Sequence, residues 1–322
     1  MTAAVAGAMT LAACTNNDEV TIDNLKDTPI LVNTGVNELT QTRAGYDNQS
    51  LPTRFALYIT QDATSDASPY NYKNVEMKYA DGAWTPSNLP GGTTMLWKSA
   101  TPNATVIAYN YNMGDEALTY GAALPAEKAK LTLVTDQSTA EGFKKADVLY
   151  YKGTAITPTT GGVLNIPFEH KGSKIRLECK FGSEMADDAT VTACTISGET
   201  GTQSTKTYLQ DFLIDTATGG LQIDNTGDNA AAIAGMKAFV ENNTAELIIF
   251  SQPLKSLKLT FTVSVGGATK TYSGIWTVNA GIGPGSVGKA TITIGRDKVE
   301  IGNFSASPWE PGNETPGNVE TE

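Results

Sequence analysis

The sequence is poor in histidine, in cysteine and in positive charge. His170 is the only histidine in 322 residues, so a histidine-dependent triad or a multi-histidine metal site would have to be built around one side chain. The three cysteines are too few for a disulfide scaffold or a zinc site of several thiolates. Lys and Arg number 23 against 34 Asp and Glu, and the net charge of -11 argues against nucleic acid as a partner. We expect no cofactor and no metal ion.

Long apolar runs are missing beyond the first residues, since no later run approaches the roughly 20 residues that span a bilayer. Residues 4–13 are small and apolar, and the run LAAC that ends at Cys14 has the form of a lipobox. The pattern predicts a signal peptide over residues 1–13, a lipid on Cys14, a tether over residues 14–28 and attachment to the outer membrane through the lipid. No Lys or Arg precedes Lys26, so the usual basic start of a signal peptide is missing. A short buried helix that ends in a cysteine is the alternative.

Short alternating segments rich in Thr, Val, Ile, Tyr and Phe fill most of the remaining chain, with Gly, Pro, Asn and Asp between them. This alternation is typical of strands with one buried face, and its repetition predicts an all-β sandwich. The clearest apolar faces are Phe55, Leu57 and Ile59 in one strand, and Val75, Met77 and Tyr79 in another. One short helix is predicted over residues 229–241, where Ile233, Met236, Phe239 and Val240 share a helical phase.

Two hairpins are predicted from their turn residues. The dipeptide Asp81-Gly82 suits a tight turn that sets Tyr79 opposite Trp84. A second turn at Gly266-Gly267 matches apolar residues with apolar residues on both sides, which would fix the register of the two strands. The expected pairs of this second hairpin are Phe261 with Tyr272 and Leu257 with Trp276.

A domain boundary is predicted between Lys152 and Val163, where the sequence carries Gly, Pro and Thr and has little to bury. The chain is long enough for two ordinary domains. We therefore predict an N-terminal β-sandwich over residues 29–155 and a C-terminal β-sandwich over residues 160–309. Residues 310–322 are acidic and rich in Pro and Gly, so we expect a disordered tail there.

The residues capable of chemistry are predicted to be structural. His170 lies at the entrance to a strand, where a hydrogen-bonded imidazole at a sheet end is expected. Cys179 and Cys194 alternate with aliphatic residues and should face one core as free thiols, with a disulfide across neighbouring strands as the alternative. The pair Asp187-Asp188 lacks the spacing of a calcium loop. We expect no enzyme activity. A surface hydrolase, the third possibility, would need a cleft with paired carboxylates, and that pairing is set by the fold rather than by spacing along the chain.

Several short runs occur in order along the chain. In the first half they are TRAG at residues 42–45, YADGAW at 79–84, Trp97, VIAYNY at 106–111 and DVLY at 147–150. In the second half they are FEHKGSKIRL at 168–177, NAG at 279–281 and PW at 308–309. In this order and spacing the set resembles the fimbrillin family, the lipoprotein pilins of the type V fimbriae of gut and oral anaerobes.

The resemblance implies two tandem transthyretin-like β-sandwich domains in a structural or adhesive subunit, a minor or tip subunit included, of a cell-surface fimbria. It also implies other fimbrial subunits as partners, joined by donor-strand insertion after an Arg-specific protease removes the N-terminal strand. The matching processing residue is Arg43, with Arg54 as a less suitable alternative; an ordinary surface arginine is the other interpretation of Arg43. The residues that would belong to the removed strand are Ile30, Val32 and Val36.

The C-terminus departs from the family pattern. Polymerising members carry an apolar donor strand near the C-terminus, whereas almost everything after Trp309 is Pro, Gly and polar or acidic residues. Either the donor is the segment Lys289 to Phe304, or this subunit accepts a strand without giving one. The alternative function, from a different class, is a monomeric surface-tethered lipoprotein that binds a glycan or a host protein.

Overall fold

The computed structural model describes residues 25–36, 46, 50–65, 67–99, 104–111, 113, 116–126, 128–159, 161–198, 212–223 and 235–308. The predicted signal peptide, Cys14, most of the tether, Arg43 and the tail at residues 310–322 lie outside these residues. Within them the chain is all-β, as the alternating pattern predicts. None of the helical segments described is long and apolar enough to cross a bilayer.

The strands follow one another with short connections. In the first half they are β1 Leu31–Val36, β2 Arg54–Thr60, β3 Tyr72–Ala80, β4 Ala83–Pro86, β5 Ala104–Asn110, β6 Ala129–Leu131, β7 Leu149–Ile156 and β8 Val163–His170, with a 3-10 turn at Pro90–Gly92 and helix α1 at Ala140–Ala146. In the second half they are β9 Gly172–Phe181, β10 Thr190–Ser197, β11 Phe212–Ile214, β12 Leu221–Ile223, β13 Met236–Lys237, β14 Phe239–Glu241, β15 Thr244–Phe250, β16 Gln252–Val265, β17 Ala268–Ile282, β18 Ser286–Ile294 and β19 Val299–Pro308.

Seven of the first eight strands form one sheet in the order β1-β8-β7-β5-β2-β3-β4. Neighbours are antiparallel except β1 and β8, which run parallel. One face carries an apolar core in which Phe55, Leu57 and Ile59 are fully buried, as their alternation predicts. Trp84 of β4 donates from Nε1 to Thr34 Oγ1 of β1 at 2.9 Å. The two edges of this sheet therefore approach each other.

The first predicted hairpin is confirmed between β3 and β4. Tyr79 pairs with Trp84 across Asp81 and Gly82, whose φ angles of 53° and 81° are the positive values that a tight two-residue turn requires. The earlier apolar residues of β3, Val75 and Met77, are buried. The last three positions of the strand are exposed, and Tyr79, which is one of them, is 46% exposed. The predicted pairing of Tyr79 is therefore correct, but Tyr79 does not belong to the buried face of the strand.

The second predicted hairpin is confirmed between β16 and β17. Phe261 pairs with Tyr272 and Leu257 with Trp276 across the turn at Gly266-Gly267. Leu257 and Phe261 are fully buried, and both of their partners are largely buried. The apolar pairs hold this register because a slip by one residue would turn each of them toward solvent.

Two further sheets enclose the core of the second half. One has the order β14-β15-β9-β18-β19 and the other the order β13-β10-β16-β17. β9 and β18 run parallel, and the other pairings are antiparallel. The rings of Trp276 on β17 and Phe304 on β19 lie 5.4 Å apart between centroids, so the outer strands of the two sheets meet at this edge.

A small third sheet joins the two halves of the chain. β11 pairs with β12 on one side and with β6 on the other, which sets Phe212 opposite Leu131. The fully buried Gln137 ties the same segment to β15, since its Oε1 accepts from Ile248 N at 2.8 Å and its Nε2 donates to Ile248 O at 2.9 Å. The two halves of the chain are therefore connected by hydrogen bonds as well as by the covalent backbone.

The predicted boundary between Lys152 and Val163 does not coincide with a change of sheet. β8 follows it but pairs with β7 and β1 in the seven-stranded sheet. The change comes at Lys171, because His170 still pairs within that sheet whereas β9 pairs from Gly172 onward with β15. The domain limits at residues 29–155 and 160–309 remain a prediction.

The helix predicted over residues 229–241 is wrong where the structure describes it, from residue 235 onward. Met236 and Phe239 lie in the short strands β13 and β14. Met236 pairs with Ile196 of β10 and is fully buried, so strand pairing overrides the helical phase. The helix that forms instead, α1, has seven residues and is capped by Thr139, too short to show a periodic apolar face.

Candidate functional site

Strand β1 is the edge strand that carries the predicted exchange. Its neighbour in the sheet is β8, and the two strands pair in a parallel register from Leu31 beside Val163 to Val36 beside Phe168. Val36 is 3% exposed and belongs to the core, whereas Leu31 is 55% exposed. Of the other two residues named for this strand, Ile30 is buried just before it and Val32 is half-buried. The predicted strand is therefore confirmed, and one of its faces packs on the core of the sheet.

The residues just before β1 are clamped to the segment around Trp97. Asp27 N donates to Trp97 O at 2.8 Å, and Trp97 N donates to Thr28 O at 2.9 Å. Leu25 is 1% exposed, so the end of the predicted tether is packed rather than free. Trp97 Nε1 also donates to Gly162 O at 2.8 Å beside the start of β8. Residues 25–36 therefore act as one docked segment, which we call the β1 segment.

His170 is hydrogen-bonded at the end of a strand, as predicted. Its Nδ1 lies 2.7 Å from Asp147 Oδ1, and both side chains are buried. The other oxygen, Asp147 Oδ2, accepts from Tyr46 N at 3.2 Å. Asp147 follows α1, so this carboxylate links the helix end, the end of β8 and the chain three residues beyond Arg43. Sequence reasoning missed Asp147 and Tyr46, because these contacts join residues that are 23 and 101 positions apart along the chain.

Arg54, the alternative processing residue, is the first residue of β2 and is engaged on two sides. Its Nε forms an ion pair with the buried Glu76, and its Nη2 donates to Glu116 O. Burial alone would raise the pKa of Glu76, but the Ser87 hydrogen bond and the Arg54 and Lys78 charges together hold that pKa below its usual value. These contacts stabilise the charged form of Glu76 and hold the Arg54 guanidinium in position.

Cys179 and Cys194 are buried in the same core as free thiols, so the expected free form is confirmed and the disulfide alternative is not formed. Burial raises the pKa of Cys179 to about 12 and raises that of Cys194 well above its usual value. A thiol is nucleophilic as the thiolate, so these two are inert in the folded protein. Across the described parts of the chain, no three His, Cys, Asp or Glu side chains gather to form a metal site.

The segment Lys289 to Phe304, named as a donor, divides between two strands with different surroundings. β18 lies inside its sheet between β9 and β19, whereas β19 is the last described strand of that sheet and pairs with β18. Val299, Ile301 and Phe304 of β19 are half-buried, and most of its remaining residues are exposed. Of these two described strands, β19 alone lies at the end of the sheet.

Comparison with known proteins places this geometry in a family. The model of the fimbrillin-like family matches residues 42–309. The chain belongs to the fimbrillin-like family. The match begins next to Arg43, leaves the β1 segment outside it and ends at Trp309. A search of curated protein sequences found no match.

Similar solved structures show the same fold. A candidate cell adhesion protein of Bacteroides ovatus has a TM-score of 0.63 at 16% identity and covers 88% of this chain and 98% of its own. A candidate cell adhesion protein of Bacteroides uniformis has a TM-score of 0.57 at 17% identity and covers 88% and 99%. A fimbrial protein of Bacteroides vulgatus has a TM-score of 0.53 at 11% identity and covers 88% and 100%. At these identities the likeness concerns the fold.

Proposed function

We propose that this fimbrillin-like chain is a structural or adhesive subunit of a cell-surface fimbria and joins its neighbour by strand exchange. A lipid on Cys14 anchors the precursor to the outer membrane, and an Arg-specific protease cuts after Arg43. The β1 segment then leaves, and a strand from another subunit takes its place. The subunit has two tandem transthyretin-like β-sandwiches and performs no catalysis. Family membership supports the fimbrial role, as do the fimbrial and adhesion proteins that share the fold.

The position of β1 is the observation that carries the proposal. β1 fills part of the core through Val36 and pairs with β8 at the edge of the seven-stranded sheet. Its removal would leave β8 with unpaired N–H and C=O groups beside an apolar groove. Such an edge pairs readily with another extended chain, so a donor strand restores both the hydrogen bonds and the burial.

The contacts of Arg54 favour Arg43 as the processing residue. A protease needs the arginine side chain and several flanking residues in an extended, accessible form. Arg54 opens β2, pairs with the buried Glu76 and is followed by the fully buried Phe55, so cleavage there would require unfolding of a central strand. Arg43 lies in polar sequence between the β1 segment and the anchored Tyr46.

The surroundings of β18 support an acceptor that gives no strand. Donation of the whole segment Lys289 to Phe304 would pull β18 from between two neighbours, at the cost of both pairings. The tail after Trp309 has almost no apolar residue to insert. A subunit of this kind suits a minor or tip position.

The proposal is tested by limited trypsin treatment, N-terminal sequencing and electron microscopy, with Arg43→Ala as the resistant control. We expect cutting after Arg43, release of the β1 segment and binding of one polymerising fimbrillin, without long fibres of this chain alone. Long homopolymers would refute the acceptor-only form. No association with or without a partner would refute strand exchange altogether.

A covalent lock gives a sharper control. Asn33 and Asn165 are register partners on β1 and β8, and Asn33 Nδ2 donates to Asn165 Oδ1 at 2.9 Å. In the double variant Asn33→Cys and Asn165→Cys, an oxidised pair should keep β1 in place after Arg43 is cut. Partner binding should be lost in the oxidised form and return with a reductant. Equal binding in both forms would show that β1 does not need to leave.

A further inference from the structure

A cavity of about 700 Å³ lies where α1 meets the ends of β2 and β5. Its wall includes Tyr46, Arg54, Asn110, Tyr111, Lys144 and Asp147. The volume falls within the range of about 300 to 1,000 Å³ that is usual for small-molecule sites. Neither the strand exchange proposed above nor the family match gives this cavity a role.

Cationic side chains outnumber carboxylates in the lining of this cavity, although the protein as a whole is acidic. Arg54, Lys144 and Lys145 line it, against a single carboxylate, that of Asp147. The charge of Arg54 is balanced by Glu76, and that of Lys145 by Glu141 at 2.8 Å. Both oxygens of the buried Asp147 are already engaged, Oδ1 with His170 Nδ1 and Oδ2 with Tyr46 N.

Lys144 is the cation that remains available to a ligand. Its Nζ donates to Ser50 Oγ and lies 5.9 Å from the centre of the Tyr46 ring. Neither contact neutralises its charge, and no carboxylate in the described part of the chain lies within ion-pair distance of it. The chain is half-buried at this position, so a bound anion would be only partly screened by water.

Tyr111 supplies a second, independent observation. It is 6% exposed and lines the cavity, and its hydroxyl is buried with no hydrogen-bond partner among the described residues. A buried hydroxyl normally has a partner, so an unpaired one indicates that something else meets it. The Tyr46 ring lies on the same wall, where its burial raises the pKa of its own hydroxyl. Tyrosine combines an apolar ring with a hydroxyl, a combination that suits the mixed apolar and polar faces of a sugar.

We propose that this cavity binds a saccharide unit that carries a carboxylate. Lys144 pairs with the carboxylate, Tyr111 hydrogen-bonds the ring substituents, and Tyr46 packs against the sugar. Long polyanions are disfavoured because the protein as a whole has a net charge of -11. The proposal does not rest on strand exchange, and its test uses the uncut chain, so the two can fail separately.

The test titrates the purified full chain with glucuronate and with glucose, which differ by the carboxylate alone, and observes binding by calorimetry and saturation-transfer NMR. Glucuronate should bind about tenfold more tightly or better, the usual effect of a hydrogen bond to a charged group. Added salt should weaken it. N-acetylneuraminate, run in parallel, distinguishes a sialic acid from a uronic acid as the better ligand. Equal binding of glucose, or of inorganic phosphate, would overturn the proposal, as would no binding of either acid sugar.

Three variants assign the binding to this cavity. Lys144→Gln should weaken glucuronate binding about tenfold or more, and Lys144→Arg should largely keep it. Lys180→Gln removes the same charge from an exposed position at the end of β9 and should leave binding unchanged. Tyr111→Phe should weaken binding without lowering the free energy of unfolding, because the lost hydroxyl has no described partner in the protein. Wild-type affinity in both Lys144→Gln and Tyr111→Phe would overturn the proposal.

Discussion

Single residues in this protein are fixed by what surrounds them rather than by their own chemistry. His170 has the side chain of a general base, but its Nδ1 is held by Asp147 at 2.7 Å inside the protein. Two thiols are buried where their pKa values are raised. Glu76, 1% exposed, is held as a carboxylate by Ser87, Arg54 and Lys78. Buried polar groups here serve to join strands.

Glu76 should make the free energy of unfolding depend on pH. Its pKa is lower in the folded protein than its usual 4.5, so its charged form stabilises the fold above about pH 4.5. This contribution is lost as the pH falls through the folded pKa. Urea unfolding between pH 6 and pH 3 should therefore give a steeper fall for the wild type than for Glu76→Gln. Ser87→Ala should lie between the two, and parallel curves for all three would contradict the assignment.

Phe261 is the residue on which the second hairpin depends most. It is fully buried opposite Tyr272, so Phe261→Ala should lower the free energy of unfolding by about 3 to 5 kcal/mol through lost burial and the cavity left behind. Ile275→Ala on the same hairpin, where Ile275 is 56% exposed, should change it by about 0.5 kcal/mol or less. Denaturant unfolding measures both. A loss below about 1 kcal/mol for Phe261→Ala would be inconsistent with this packing.

At the scale of elements, short segments cross between the halves of the chain. β6 and α1 precede β7, yet β6 pairs with β11, and Phe143 of α1 packs in one cluster with Ile248 of β15. An edge strand of three residues and a helix of seven would be marginal alone. Their stability comes from this docking.

Gln137 should be the main polar contact of that docking. Gln137→Ala removes two buried hydrogen bonds and leaves Ile248 N and O without this partner, so we expect a loss of at least about 2 kcal/mol. Lys237→Ala removes an exposed ion pair with Asp136 at the same junction and should cost less than about 1 kcal/mol. Both losses are measured by thermal and denaturant unfolding. Equal losses for Gln137→Ala and Lys237→Ala would contradict a larger contribution from the buried amide.

At the scale of the whole molecule, the predicted lipid anchor lies before the family match, which begins at residue 42. The lipobox predicts that Cys14 carries the lipid. Cys14→Ala should therefore give an unprocessed or mislocalised precursor, as seen by membrane fractionation and mass spectrometry of the N-terminus. A soluble mature wild type that retains residues before Cys14 would contradict the lipid anchor.

The interlocking of the halves also bears on the tandem-domain prediction. The breaker-rich stretch at residues 153–162 is a genuine loop between β7 and β8 for most of its length, but both strands belong to one sheet. Gly and Pro mark where the chain turns, and they do not specify which sheet the next strand joins. The parallel pairing of β8 with β1 depends on a segment more than a hundred residues earlier.

Local sequence determined the strands and the two hairpins of this protein. Alternation fixes which face is apolar, and Asp81-Gly82 and Gly266-Gly267 fix the turns, because both effects act between neighbouring residues. Only the tertiary structure decided that Met236–Lys237 and Phe239–Glu241 are strands, that Arg54 is engaged by Glu76, and that Asp147 holds both His170 and Tyr46. Those outcomes depend on burial and on partners far along the chain, and the local periodicity of the sequence specifies neither.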